Sequence, residues 1–199
     1  IPRLQHRDAG GHLTTVTVVA GALPGADTPL SPPPESWASQ PEADVAIWTL
    51  HLEPGARWTL PAATGQGTRR MLYYFVGDGL AVGPQAIRGH AALEVVASQH
   101  WELVNTGTTA VECLLLQGRP IGEPVAQYGP FVMNTQQEIM QAMQDYRRTQ
   151  FGGWPWPESD PVHGPEARRF ARYPGQTQDE VPSPVAAPGM ACITPCDPR

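Results

Sequence analysis

The stretch Asp44–Gly55, DVAIWTLHLEPG, decides the fold class. Ala46, Trp48, Leu50 and Leu52 alternate with Val45, Ile47, Thr49 and His51, a period of two that places the two sets on opposite faces of a strand. Glu53-Pro54-Gly55 supplies the turn that follows. Similar runs lie on both sides. Thr14–Ala20 is rich in valine and threonine, which suit a half-buried pleated surface. In Arg70–Val76, Met71, Tyr73 and Phe75 oppose Leu72, Tyr74 and Val76, and Gly77-Asp78-Gly79 turns the chain. Leu93–Ala97, His100–Asn105 and Val111–Gln117 read as further strands. Short strands at this regular spacing predict an all-β core, a sandwich or barrel.

One helix is expected, in NTQQEIMQAMQDYRR (residues 134–148). Thr135 suits the N-cap and Glu138, three residues on, closes a capping box. Ile139, Ala142, Met143 and Tyr146 fall on one face, which is expected to pack on the β core. Arg147 and Arg148 complement the negative end of the helix dipole, and Gly152 is a stop signal.

Composition narrows the function classes. A chain of 199 residues with 41% apolar and 16% charged residues has enough material for one domain with a sizeable core. No run approaches the ~20 apolar residues of a membrane span. Ile1-Pro2-Arg3 leads directly into His6-Arg7-Asp8, which does not read as a signal peptide, so a cytoplasmic setting is expected. All 13 basic residues are arginine, which leaves no lysine for a Schiff base or a phosphate loop. The net charge of −6 argues against a broad nucleic-acid-binding surface. Three cysteines are too few for a disulfide framework. Cys192 and Cys196 stand in a proline-rich tail with no second pair, and read as a loose tail rather than a zinc site. Pro24–Pro41 reads as a long loop. From about Ser159 the periodicity fades, and the end, PSPVAAPGMACITPCDPR, is expected to be extended or disordered.

The EPG and GDG turns around these strands are similar to those of the cupins, jelly-roll-type barrels. The first cupin motif sets His-x-His some six residues after a glycine, then a glutamate; the second sets a histidine four residues before an asparagine. Three imidazoles and a carboxylate in that arrangement hold a divalent metal. Counted from Gly55, the paired positions here are Pro61 and Ala63. Counted back from Gly77, the glutamate position falls near Arg70. Counted from Asn105, the last histidine position is Trp101. None of these side chains ligates a metal, and arginine repels one.

The remaining candidates lead to the same expectation. His100 neighbours a ligand position but belongs to the opposite strand face, which a one-residue shift in register would turn inward, and His51 reads as an outward or hydrogen-bonded structural histidine. His6, His12, His90 and His163 lie among glycines, prolines or charges and read as loop residues. No serine stands in a G-x-S-x-G elbow. Cys113, in VECLLLQ, reads as a buried, inert thiol. TGQGTRR, ending at Arg69-Arg70, reads as a mobile hairpin loop rather than a phosphate cradle. Glu102, Glu112 and Asp78 read as isolated carboxylates. No catalytic, cofactor-binding or metal-binding residue is therefore assigned.

Gly118–Gly152 closely resembles the C-terminal signature of the pirin family. The resemblance rests on Glu123-Pro124-Val125, Gln127, the run Gly129 to Thr135 (GPFVMNT), Glu138-Ile139, Gln141-Ala142 and Asp145-Tyr146. Residues 12 to 117 look like the second cupin domain of such proteins. The resemblance implies an all-β, cupin-type jelly-roll barrel with one C-terminal helix and an extended proline-rich tail. Residues 1–11 would be a linker-like start, 12–157 the barrel and helix, and 158–199 the tail. It implies a bicupin whose N-terminal barrel carries iron or another divalent metal on three histidines and a glutamate. No cofactor would belong to the present chain. The implied roles are a metal-free structural partner of that N-terminal barrel, a quercetin 2,3-dioxygenase-like oxygenase for the intact protein, or a protein-binding transcription coregulator. Phe131 and Val132 would dock toward the partner barrel, with self-association where it is lacking.

Overall fold

The computed structural model describes residues 1–154, 157, 170–173 and 175–181. The chain divides into two compact units, Ile1–Glu123 and Pro124–Arg199.

The first unit holds ten strands: β1 (Arg3–Arg7), β2 (Leu13–Ala20), β3 (Ala46–Leu52), β4 (Arg57–Leu60), β5 (Arg69–Val76), β6 (Leu80–Val82), β7 (Gln85–Ile87), β8 (Ala91–Glu94), β9 (Trp101–Asn105) and β10 (Val111–Gly118). A six-stranded sheet runs in the order β1-β2-β3-β10-β5-β8, and a four-stranded sheet in the order β4-β9-β6-β7. Every pairing is antiparallel. The two sheets share one core, with Val16, Trp48, Leu50, Leu72, Tyr74 and Leu115 from the larger and Trp58, Leu60, Leu80 and Leu103 from the smaller. Each fully buried leucine of this set contributes roughly 1.5–3 kcal/mol by leaving water.

The period of two governs this packing. Strand β3 buries Ala46, Trp48, Leu50 and Leu52 and leaves Thr49 and His51 exposed. At the following turn Ala56 N donates to the Glu53 carbonyl oxygen at 2.9 Å. Gly55 takes φ +79° at the turn's second central position, where a side chain would be strained.

Four features differ from the sequence reading. The linker-like start contains β1, paired with β2 from Arg3↔Thr17 to Arg7↔Leu13. Its residues are mostly exposed, so no alternation marks it, and backbone pairing alone makes the strand. Strands β4, β6 and β7 span only three or four residues, too few to display a period. The TGQGT segment is not a hairpin loop: β4 belongs to the four-stranded sheet and β5 to the six-stranded one, so residues 61–68 cross between sheets. The long loop at Pro24–Pro41 contains a turn of 3-10 helix at Trp37–Ser39, and a second follows at Pro41–Ala43.

In the second unit, β11 (Ala126–Tyr128) and β12 (Phe131–Met133) form a hairpin that packs against helix α1 (Gln136–Thr149). The capping box is complete, with Glu138 N donating to Thr135 Oγ1 at 3.2 Å and Thr135 N donating to Glu138 Oε2 at 2.8 Å. Ile139 and Ala142 are buried, while Phe131, Tyr146 and Phe151 meet edge to face with centroids 5.3–6.2 Å apart. Ala171 and Glu180 form an isolated antiparallel bridge within the expected tail. His163, Cys192 and Cys196 lie outside the described residues.

Candidate functional site

The four positions counted from the turn glycines and Asn105 as a cupin's ligand positions gather at one end of the first unit. Pro61 and Ala63 follow β4, Arg70 is the second residue of β5, and Trp101 opens β9. Three of them bond to the short segment after β8. Ala63 N donates to the Ala97 carbonyl oxygen at 2.7 Å, Val95 N to that of Arg70 at 3.1 Å, and Trp101 Nε1 to that of Val96 at 3.0 Å. The register Leu60↔Trp101 explains why β4 and β9 deliver their residues to the same end.

Arg70 dominates this end. It alternates inward with Leu72 and Tyr74, is 1% exposed, and is the largest fully buried side chain among the described residues. Its Nη1 donates to the Pro61 carbonyl oxygen at 2.7 Å. Nε donates to Gln117 Oε1 at 2.9 Å, and Nη2 shares that acceptor. Gln117 is its direct cross-strand neighbour on β10. Burial pulls the guanidinium's pKa below its ordinary value, and the Asp44 carboxylate counters that pull. The position counted for the motif's carboxylate therefore carries a buried cation, bonded to the backbone of a position counted for an imidazole.

The donor set does not fit a divalent metal. Proline and alanine offer no ligating side chain, the indole N–H of Trp101 is a donor only, and Arg70 adds positive charge. His51 lies exposed on the outer face of β3, opposite Thr15 and Glu112. His100 is also exposed, its Nδ1 accepting from Ala62 N at 3.4 Å. His12 pairs with Asp8 at 3.4 Å, His90 meets the Tyr74 ring edge-on at 5.6 Å, and His6 is exposed on β1. Among the described residues no three His, Cys, Asp or Glu side chains converge on a point that could hold an ion.

The carboxylates are less isolated than their spacing suggests. Asp78 accepts from the backbone N–H and the hydroxyl of both Thr108 and Thr109, at 2.7–3.1 Å. Those bonds hold its carboxyl well below the usual carboxylate range, so it is a turn clamp and not an acid. Glu102 faces Arg57 at 3.4 Å on the surface. Glu112 lines a groove of about 260 Å³ with Thr15, Thr17, Thr49, His51 and Phe75. The Cys113 thiol, fully buried, is pushed up to about 12.

Sequence reasoning counted out Pro61, Ala63, Arg70 and Trp101 but missed the Arg70–Gln117 pair. The signal was present: both residues stand at inward-facing steps of otherwise apolar strands, where a polar side chain needs a partner.

Comparison with known proteins gives the family. The family description "Pirin C-terminal cupin domain" matches residues 47–152. The chain belongs to the pirin family. Human pirin is 34% identical over 105 residues, which cover 51% of this chain and 35% of pirin. A Pseudomonas aeruginosa protein provisionally named quercetin 2,3-dioxygenase is 32% identical over 147 residues, 74% of this chain and 48% of that protein. The crystal structure of a quercetin 2,3-dioxygenase from Acinetobacter baumannii superposes with a TM-score of 0.57 at 24% identity, covering 75% of this chain and 48% of the other. That likeness establishes the cupin fold. The chain spans about half or less of the length of these pirin-type relatives. No helix among its described residues is long and apolar enough to cross a membrane.

Proposed function

We propose that this pirin C-terminal cupin is the metal-free structural partner of an N-terminal barrel that carries the divalent metal and the chemistry. One observation carries the reading: the buried Arg70 guanidinium, near the position counted for the glutamate, donates to the Pro61 carbonyl oxygen, 2.7 Å away, at the position counted for the first histidine. A built-in cation there opposes a second, mobile one. That the matched residues cover 48% of the Pseudomonas aeruginosa relative and 35% of human pirin supports a two-barrel parent, in which iron or another divalent metal belongs to the other half.

The test is a metal analysis of the purified chain after anaerobic incubation with ferrous ion and desalting. The expected result is no stoichiometric metal and no oxygen uptake with quercetin. One equivalent retained by the wild type and lost on replacing His51 and His100 would overturn the reading. The intact mass of the endogenous polypeptide tests the two-barrel parent: it should exceed 21.5 kDa substantially, and a match to 21.5 kDa would sink that part.

A second reading is that the intact protein oxygenates quercetin-like aromatics. The name of the Pseudomonas aeruginosa relative favours it. Oxygen consumption by the full-length polypeptide, present with iron and abolished by chelation, is the expected outcome.

A further inference from the structure

We infer that Arg70 is the internal cross-link of this barrel, a permanent cation whose guanidinium ties β5 to the end of β4 and to β10 and thereby fixes the 61–68 crossover. The inference rests on the reading that this barrel holds no metal, and extends it from what the site lacks to what its replacement does.

The connections form one continuous chain. Arg70 holds Pro61, the first residue of the crossover, through Nη1, and grips Gln117 through Nε and Nη2. Gln117 passes the connection on, its Nε2 donating to the Asp44 carbonyl oxygen at 3.0 Å. The Asp44 carboxylate then accepts from Gly65 N at 2.9 Å and from Thr68 Oγ1 at 2.7 Å, holding the middle and the end of the same crossover. Asp44 does this from a left-handed backbone conformation, φ 47°, so its geometry is specified by the surroundings and not by local preference. The crossover forms one wall of an open groove of about 840 Å³, whose other wall is Glu94–Ser98.

Two features separate a cross-link from a merely accommodated arginine. Every acceptor of the buried guanidinium is neutral, an amide oxygen or a backbone carbonyl, so no direct ion pair offsets its desolvation. Its contribution lies in bonds that only a planar fork makes to two elements at once. An ammonium on a single stem reproduces the charge without the fork.

The experiment compares the full chain with Arg70→Met, Arg70→Lys and Gln117→Leu by amide hydrogen exchange and thermal unfolding, with and without EDTA. Arg70→Met should speed exchange of the 62–68 amides about tenfold or more relative to β2 and β3, with Arg70→Lys in between. Wild-type exchange and an unchanged midpoint in Arg70→Met would overturn the inference. Should Arg70→Met fail to fold, Gln117→Leu decides, since it keeps the arginine and removes the acceptor shared by Nε and Nη2. Faster exchange of the Gly65–Thr68 amides supports the network, and unchanged exchange there overturns it. A wild-type midpoint lowered by EDTA would instead overturn the metal-free reading, leaving Arg70→Met to judge the cross-link alone.

Discussion

The side-chain amide of Asn105 donates to the Leu52 carbonyl oxygen at 3.0 Å, joining the end of β9 to the end of β3. The same nitrogen reaches the Thr109 carbonyl oxygen at 2.8 Å, and Oδ1 accepts from Gly107 N at 2.9 Å. Its backbone completes the node, with Asn105 N donating to the Ala56 carbonyl oxygen and Gly55 N donating to that of Asn105. The asparagine that marks the end of the second cupin motif is here a buried fastener between the EPG turn and the β9–β10 connection. Asn105→Ala leaves two carbonyls and one N–H without their partner, and should cost about 3 kcal/mol in urea unfolding. A cost under about 1 kcal/mol would mean that water replaces the amide.

Asp78 sets a pH dependence whose sign follows from its depressed pKa. The hydrogen bonds from Thr108 and Thr109 favour the charged form in the folded state only. Their stabilisation is therefore complete above the unfolded carboxylate value of about 4 and fades as pH falls through the folded one. Asp78→Asn should lower stability at neutral pH and flatten the acid limb of the unfolding curve. An acid limb as steep as the wild type's would remove this assignment.

Cys113 should be inert in the native protein. With its thiol pushed up to about 12 and no exposure, it should resist iodoacetamide at pH 8 and react fully once the chain is denatured. Peptide mapping by mass spectrometry reads this residue separately from Cys192 and Cys196. Rapid native labelling of the Cys113 peptide would show that the strands around it open.

Thr135 anchors helix α1 through the reciprocal pair with Glu138. Thr135→Ala should destabilise the helix by about 1 kcal/mol, read as faster amide exchange in its first turn. The β-sheet amides of the first unit serve as the internal reference, and equal acceleration in both places would point to a global effect instead.

The barrel was legible because β2, β3, β5 and β10 each present a buried and an open face. Trp48 and Leu50 fall inside on the face that the alternation of β3 sets apart, and Cys113 is buried as its apolar run predicts; Leu72 and Tyr74 also fall inside, although both faces of β5 are apolar in sequence and the spacing alone names neither. Strands β1, β4, β6 and β7 were not legible. They are short or exposed, so their existence depends on the neighbours they pair with and not on any pattern of their own.

The same division holds at the candidate site. Sequence alone supplied the turn glycines and the closing asparagine from which Pro61, Ala63, Arg70 and Trp101 are counted as the expected ligand positions of a cupin. It also determined the capping box, a motif confined to four consecutive residues. Only the tertiary structure decided that Arg70 bonds Pro61, that Gln117 is its acceptor 47 positions away, and that Asp44 reaches Gly65 and Thr68. Those partners meet through strand register and a crossover between sheets. Local alternation tells which face a residue takes, but not which distant strand lies beside it.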